Sequence, residues 1–394
     1  MTPLERRASF SLAAVFALRM LGLFLVLPVF MLEARQYPGG DDAALVGLAM
    51  GAYGLTQAFM QIPLGLASDR WGRKPIIYLG LALFAAGSLV AAWAPSVHWL
   101  MVGRIIQGSG AMSAAITALL ADQTRDEVRT KGMALVGASI GLTFALSLMV
   151  SPPLTAAVGL SGVFGLTAVL ALAGMAAVKW WTPAEPTLTP ASGAARGRLR
   201  DVAVHPHLWR LYLGVFALHT IQVAMWMAVP ALLTTAGLPQ PAHWQVYLPA
   251  VGLSFVLMGG LFALERRGHL KWVLRAAVLL LVVVQAGFMW HSLGTVKLAP
   301  LAGLLFLFFV AFNIMEASQP SLVSRLAPTH ARGAALGMYN TLQSVGFFVG
   351  GALGGWLVKW MGSPALFAGC LALAGGWLVL GWLQPVPPPG PARH

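Results

Sequence analysis

The sequence predicts an all-α membrane protein with twelve transmembrane helices in two six-helix pseudo-repeats. Three observations predict it. Apolar residues make up 58% of the chain, above the roughly one half of soluble domains. They gather in runs long enough to cross a bilayer, which takes about 20 residues of helix. The cations fall almost wholly into alternate short loops between those runs.

The runs place spans at 8–32, 43–67, 75–94, 97–121, 132–157 and 160–181, an N-terminal bundle within 1–181. A second set at 208–234, 245–264, 271–293, 298–323, 333–358 and 364–383 forms a C-terminal bundle over 208–383. Residues 182–207, rich in Pro, Thr and Ala and carrying Arg196, Arg198 and Arg200, are expected to be a cytoplasmic linker. Residues 384–394 are expected to be a Pro-rich cytoplasmic tail. The first apolar run is too long for a signal peptide and lacks a small-residue cleavage site. Forty-four glycines suit membrane helices whose backbones approach closely, and the single cysteine, Cys370, excludes a disulfide framework.

Charge sets the orientation. Of 25 Lys and Arg, Arg19 and Arg104 lie within spans and Arg35, Lys297 and Lys359 fall in outer loops, leaving 20 on the other side. That asymmetry places both termini in the cytoplasm. The net charge of +13 does not imply nucleic acid, because the cations sit in loops and not along one face. The halves also echo each other. Glu265-Arg266-Arg267-Gly268 ends the eighth span as Asp69-Arg70-Trp71-Gly72 ends the second, 196 residues earlier, and Arg332-Gly333 echoes Lys131-Gly132. Parallel repeats of this kind are the plan of a transporter whose halves rock against each other.

The loop Gly65–Lys74 is the densest charge cluster of a chain that is 9% charged. Arg70, Arg73 and Lys74 alone would serve as a positive-inside anchor, but Asp69, Gly65 and Gly72 have no part in one. Asp69 suits an ion pair or a helix cap and Gly72 a tight turn, so the loop reads as a latch that holds the two halves together on the cytoplasmic side in one state and releases them in the other. Asp122, at the inner end of the fourth span, is a candidate partner.

Ionisable groups within spans are functional candidates by default. Arg104 lies inside the fourth span, where an unpaired guanidinium costs at least ~2.5 kcal/mol. It reads either as coupled to proton movement or as a structural pair near the outer surface. Glu316 lies mid-span with Asn313 and Gln319 a turn either side, an expected polar stripe and the first choice for the coupling proton. An approaching cation such as Arg19 would favour its carboxylate. His219, which can change protonation near neutral pH, reads either as a proton carrier or as a satisfied packing residue. Gln57, Gln61, Gln222, Asn340, Gln343 and Trp226 complete the candidate lining of a substrate cavity, with Tyr53 among the aromatic padding. Met225 and Met227 near His219 raise copper, since thioethers suit Cu(I), but two methionines one residue apart face different ways. No Walker loop, nucleophile elbow or zinc-ligand spacing occurs, so neither catalysis, a cofactor nor a resident metal is expected.

The Gly65–Lys74 loop resembles the loop signature of the major facilitator superfamily. Arg104-x-x-Gln107-Gly108-x-Gly110 resembles the fourth-span motif of its proton antiporters. Gly137-x-x-x-Gly141 with Ser151-Pro152 resembles their fifth-span motif, though Ser151 replaces the glycine before proline and the terminal glycine pair is missing. Arg19–Pro28, Ala121–Arg125 and Ala311–Ala317 are similar to the bacterial YajR-type transporters, and the likeness covers nearly the whole chain. The resemblance implies proton-coupled efflux of small amphipathic compounds across a bacterial inner membrane by a monomer. It implies a cytoplasmic charge relay of Asp69, Arg73 and Asp122, and a central cavity lined by the first and seventh spans, hence by Arg19 and His219. It also implies a C-terminal soluble domain that these residues do not include. The alternatives are a transporter of sugar, metabolite or copper, or a non-transporting membrane sensor or scaffold.

Overall fold

Helix starts and stops follow from the residues that flank them. The structure is a computed structural model that describes residues 1–185, 202, 205–264, 269–328 and 331–382, and every regular element among these is helical. Helix α1 (Pro3–Val26) opens on a reciprocal cap: Thr2 Oγ1 accepts from Glu5 N at 3.2 Å, and Glu5 Oε2 accepts from Thr2 N at 2.7 Å. It stops just ahead of Pro28, and a single turn, α2 (Phe30–Glu33), follows. Asp42 caps α3 (Ala43–Trp71), accepting from Ala44 N at 2.9 Å and Leu45 N at 3.2 Å. At Gly72, with φ at 98°, α3 ends and α4 (Arg73–Ala92) departs, a conformation side chains rarely tolerate.

The expected fourth span is two helices, α5 (Val97–Ser109) and α6 (Ser113–Asp122). Close packing accounts for the break. A Cβ on Gly108 would lie 2.2 Å from Tyr53 O, and one on Gly110 would lie 2.3 Å from Gly80 O. Two backbones press on the chain here, and it turns between them.

Helix α7 (Asp126–Trp180) has 55 residues, ~80 Å at 1.5 Å per residue, far beyond a ~30 Å hydrocarbon core. It is broken at Gly159 (φ 67°) and so supplies two expected spans. The later helices are α8 (Pro206–Thr235), α9 (Trp244–Leu264), α10 (Leu270–Leu293), α11 (Leu298–Leu326) and α12 (Arg332–Trp382), the last broken at Gly362. Nine helices among the described residues, α5 and α6 counted as one, are long and apolar enough to cross a membrane. The chiral punctuation repeats as well. Gly39 and Gly237 stand 198 positions apart and Gly159 and Gly362 203 apart, all at positive φ. The expected repeat of the charged loop at 265–268, the basic linker around Arg196–Arg200 and the tail 384–394 lie outside the described residues.

Glycine lets the halves meet. A Cβ on Gly47 would lie 2.3 Å from Gly351 O, and one on Gly51 would lie 2.6 Å from Phe348 O, so α3 and α12 cross backbone to backbone. The antiparallel contact runs from Ala43 beside Gly355 to Gly54 beside Ser344. Towards the Arg73 end of the molecule it lapses: added Cβ atoms at Gly333 and Gly337 would meet nothing within 4 Å. The opposite end is tied by charge, with Lys359 Nζ 2.8 Å from Asp42 Oδ2 and Gln240 Nε2 donating to Glu33 Oε1 at 2.7 Å.

Candidate functional site

Three polar centres occupy this frame. The first joins α8, α11 and α12. His219 is buried and its Nδ1 lies 2.9 Å from Val215 O. A carbonyl only accepts, so Nδ1 carries a proton and Nε2 decides the charge of the ring. Nε2 faces Gln343 Nε2 at 2.8 Å and Glu316 Oε2 at 3.2 Å. When the ring is neutral, its lone pair accepts the Gln343 amide and turns a second negative edge to any Glu316 carboxylate. When Nε2 is protonated, the ring and Glu316 form an ion pair. A single proton on either atom would bridge the 3.2 Å between Nε2 and Oε2. The Glu316 side chain is 34% exposed although Oε2 itself is shielded from solvent, so the group is reachable from one side.

The expected stripe on α11 fans out instead. Asn313 Nδ2 donates to Ser254 Oγ on α9 at 2.8 Å, and Tyr339 Oη on α12 donates to Gln319 Oε1 at 3.5 Å. Asn313, Glu316 and Gln319 thus each tie α11 to a different helix. Trp226 packs among Met225, Leu305, Phe308 and Phe309 with its ring edge-on to Tyr247 at 5.6 Å, a core position and not the wall of an open cavity. Met225 turns its sulfur to Gln285 Nε2 at 3.3 Å, away from the His219 group, so these residues do not gather a thioether–imidazole set. Gln222 is buried one turn beyond His219, and Asn340 is half-buried one turn before Ser344.

The second centre lies in the N-terminal half. Arg19 is fully buried; its Nη2 donates to Tyr53 Oη at 2.6 Å and its Nη1 to Ser113 Oγ at 3.2 Å. Arg104 stacks its guanidinium 4.7 Å from the centre of the Tyr53 ring and donates to Gln107 Oε1 at 2.9 Å. Gln107 in turn donates to Ser88 Oγ at 2.8 Å. Both arginines thus share Tyr53, and neither approaches Glu316. Gln57 and Gln61 follow Tyr53 at four-residue spacing on α3, both buried, with Gln57 Oε1 and both polar atoms of Gln61 lacking a partner.

The third centre is the charged loop. The Arg73 guanidinium pairs with Asp69, donates from Nε to Asp122 Oδ2 at 3.2 Å and from Nη1 to Ser68 Oγ at 2.9 Å. Arg70 points into solvent and Gly65 only brushes Ala114. Glu185, from the stretch expected to be linker, accepts from the backbone N–H groups of Arg73 and Lys74 and so caps α4. Lys74 Nζ donates to Thr182 O at 3.1 Å. All these partners belong to residues 1–185. Among the described residues the loop's partners, Asp122 and Glu185 included, all lie in the N-terminal half, the arrangement expected of the latch when it is released. Sequence reasoning missed Glu185 and also the ties Glu33–Gln240 and Asp42–Lys359. The available signal was scarcity, since the chain has only 12 acids.

Comparison with known proteins agrees with this architecture. The model of the Major Facilitator Superfamily matches residues 9–351. The inner membrane transport protein YajR of Escherichia coli K12 is 41% identical over 98% of this chain and 85% of its own length. The multidrug resistance protein MdtH of Klebsiella pneumoniae is 27% identical over 92% of this chain and 87% of its own. The fold matches a solved peptide transporter at 13% identity, with a TM-score of 0.73 over 98% of this chain and 99% of that one. The chain is a multi-pass membrane transporter of small molecules, not an enzyme, and it belongs to the Major Facilitator Superfamily.

Proposed function

We propose that this transporter exports small amphipathic compounds in exchange for protons, by alternating access between a bundle at 1–181 and a bundle at 208–383. The observation that supports the reading is the 3.2 Å approach of His219 Nε2 to Glu316 Oε2, a gap that one proton can bridge. A proton and a substrate that competes for Glu316 would each displace the other, and such competition is what couples two opposed fluxes. The relatives, an inner membrane transport protein and a multidrug resistance protein, are in keeping with it.

Orientation follows from the 20 cations on one side, which put both termini and the Arg73 loop in the cytoplasm of a bacterium. On that assignment the ties at Asp42–Lys359 and Glu33–Gln240 close the outer face, and the parting of α3 from α12 beyond Gly54 opens the inner one. Asp69, Arg73 and Asp122 brace the N-terminal bundle in this inward-open state, and the loop meets the other bundle only when the inner face shuts. Monomers suffice, since both bundles belong to one chain.

Flux into proteoliposomes from a compound panel, with and without a pH gradient, tests the proposal. Gradient-dependent accumulation is expected, and uptake indifferent to the gradient would contradict it.

A further inference from the structure

The N-terminal half holds two buried cations and no acid to balance them. No Asp or Glu occurs in the spans 8–32, 43–67, 75–94, 97–121, 132–157 or 160–181. The buried acids among the described residues are Glu5 and Glu33, which are engaged by Arg125 and Gln240 at opposite ends of the molecule. Arg19 and Arg104 are shielded, and their partners are the neutral groups of Tyr53, Ser113 and Gln107, the Phe84 ring 5.7 Å from the Arg19 guanidinium and, at 3.5 Å, the Met50 carbonyl. The Nε of each has no partner. A buried guanidinium without an anion is costly, and two around one tyrosine compound that cost.

We infer that Arg19 receives the carboxylate of an organic anion, in a site completed by Tyr53, Gln57, Gln61 and Ser113. This inference rests on the reading of the chain as a small-molecule transporter and names a substrate class; it does not rest on competition at Glu316, because Arg19 with Tyr53 and Ser113 lies apart from that carboxylate. The planar fork of a guanidinium matches a carboxylate, and the Tyr53 and Ser113 hydroxyls add donors to the same point. Gln57 Oε1 and both polar atoms of Gln61 are unsatisfied, so the substrate also carries a hydroxyl, which can donate to the carbonyl oxygens and accept from the Gln61 amide. Ala114 and Thr117, beside Ser113 on α6, are partly exposed. Arg104 is held one layer deeper by Gln107 and the Tyr53 ring, and it contributes field and not contact.

The test uses the purified full chain in detergent and its melting temperature. Probes are sodium 4-hydroxybenzoate, the neutral isostere 4-hydroxybenzamide, and sodium nitrate as a bare anion. The inference expects saturable stabilisation by 4-hydroxybenzoate alone, weakened about tenfold or more by Arg19→Gln and partly kept by Arg19→Lys. If Arg19→Gln does not fold, Gln61→Leu must weaken the same response. Equal stabilisation by the amide, no response to 4-hydroxybenzoate at millimolar concentration, or indifference to these substitutions overturns the site. A nitrate response equal to that of 4-hydroxybenzoate shows a counter-ion site and overturns the substrate class. Gradient-driven flux of other compounds by a protein that fails these tests would leave the transport reading standing.

Discussion

Lys359 Nζ lies 2.8 Å from Asp42 Oδ2, a bond from the middle of α12 to the cap of α3 that joins the two halves at the end opposite the Arg73 loop. Asp42 also accepts from Ala44 N and Leu45 N, so one carboxylate both starts a helix and closes a face. Lys359→Ala should leave the α3 cap intact while loosening the closure. The pair is about a third exposed on each side, so the expected effect is at most about 1 kcal/mol. Electron–electron distances between spin labels on the outer ends of α3 and α12 should lengthen in a larger fraction of molecules, and an unchanged distribution would remove the bond from the gate.

Glu33 gives the same face a dependence on acidity. Burial raises its carboxyl above the ordinary 4.5, opposed in part by the Gln240 hydrogen bond, whereas Lys359 lowers Asp42 below 3.8. The signs differ. A raised acid favours closure most when it is protonated, at and below its ordinary value, and loses that contribution as pH rises through the raised one. The Asp42 contribution is present above 3.8 and is lost only in stronger acid. Closure of the outer face should therefore grow as pH falls towards 4.5, and Glu33→Gln should flatten that dependence. The same spin-label distances measured across pH report it.

The Arg73 cluster should behave as a brace in one state and a contact in the other. Asp69→Asn is expected to leave membrane insertion intact, slow transport and favour inward opening, with a tenfold population shift for each ~1.4 kcal/mol lost. Wild-type flux together with unchanged distances across the inner face would sink the idea.

Topology can be checked directly. In a Cys370→Ala background, cysteines placed at Arg200 and His394 should resist an impermeant thiol reagent in intact cells, while one at Gly40 should react. Labelling at position 200 from outside would reverse the assignment.

The spans were legible because apolar runs and charged loops alternate, and the punctuating glycines at 159 and 362 fall between expected spans. The broken fourth span was not, because its cause is the pressure of Tyr53 and Gly80 from other helices on Gly108 and Gly110. Glu316, His219 and Gln343 were each visible as polar residues in apolar helices, but nothing local pairs residues from three different helices. Arg19 was expected to serve Glu316 and instead belongs to Tyr53 and Ser113, since a buried guanidinium takes the nearest acceptors. Trp226 and Asn313 were indistinguishable from cavity residues because their packing is set entirely by α9 and α11.

The central claim is that Glu316, 3.2 Å from His219 Nε2, carries the proton that drives exchange. Accumulation in proteoliposomes under a pH gradient, compared between wild type and Glu316→Gln for a compound the panel identifies, tests it most directly. The amide keeps the shape of the protonated acid but cannot release a proton, so it should abolish gradient-driven accumulation while preserving exchange of substrate for substrate. Accumulation by Glu316→Gln at the wild-type rate would place the coupling proton elsewhere and contradict the account.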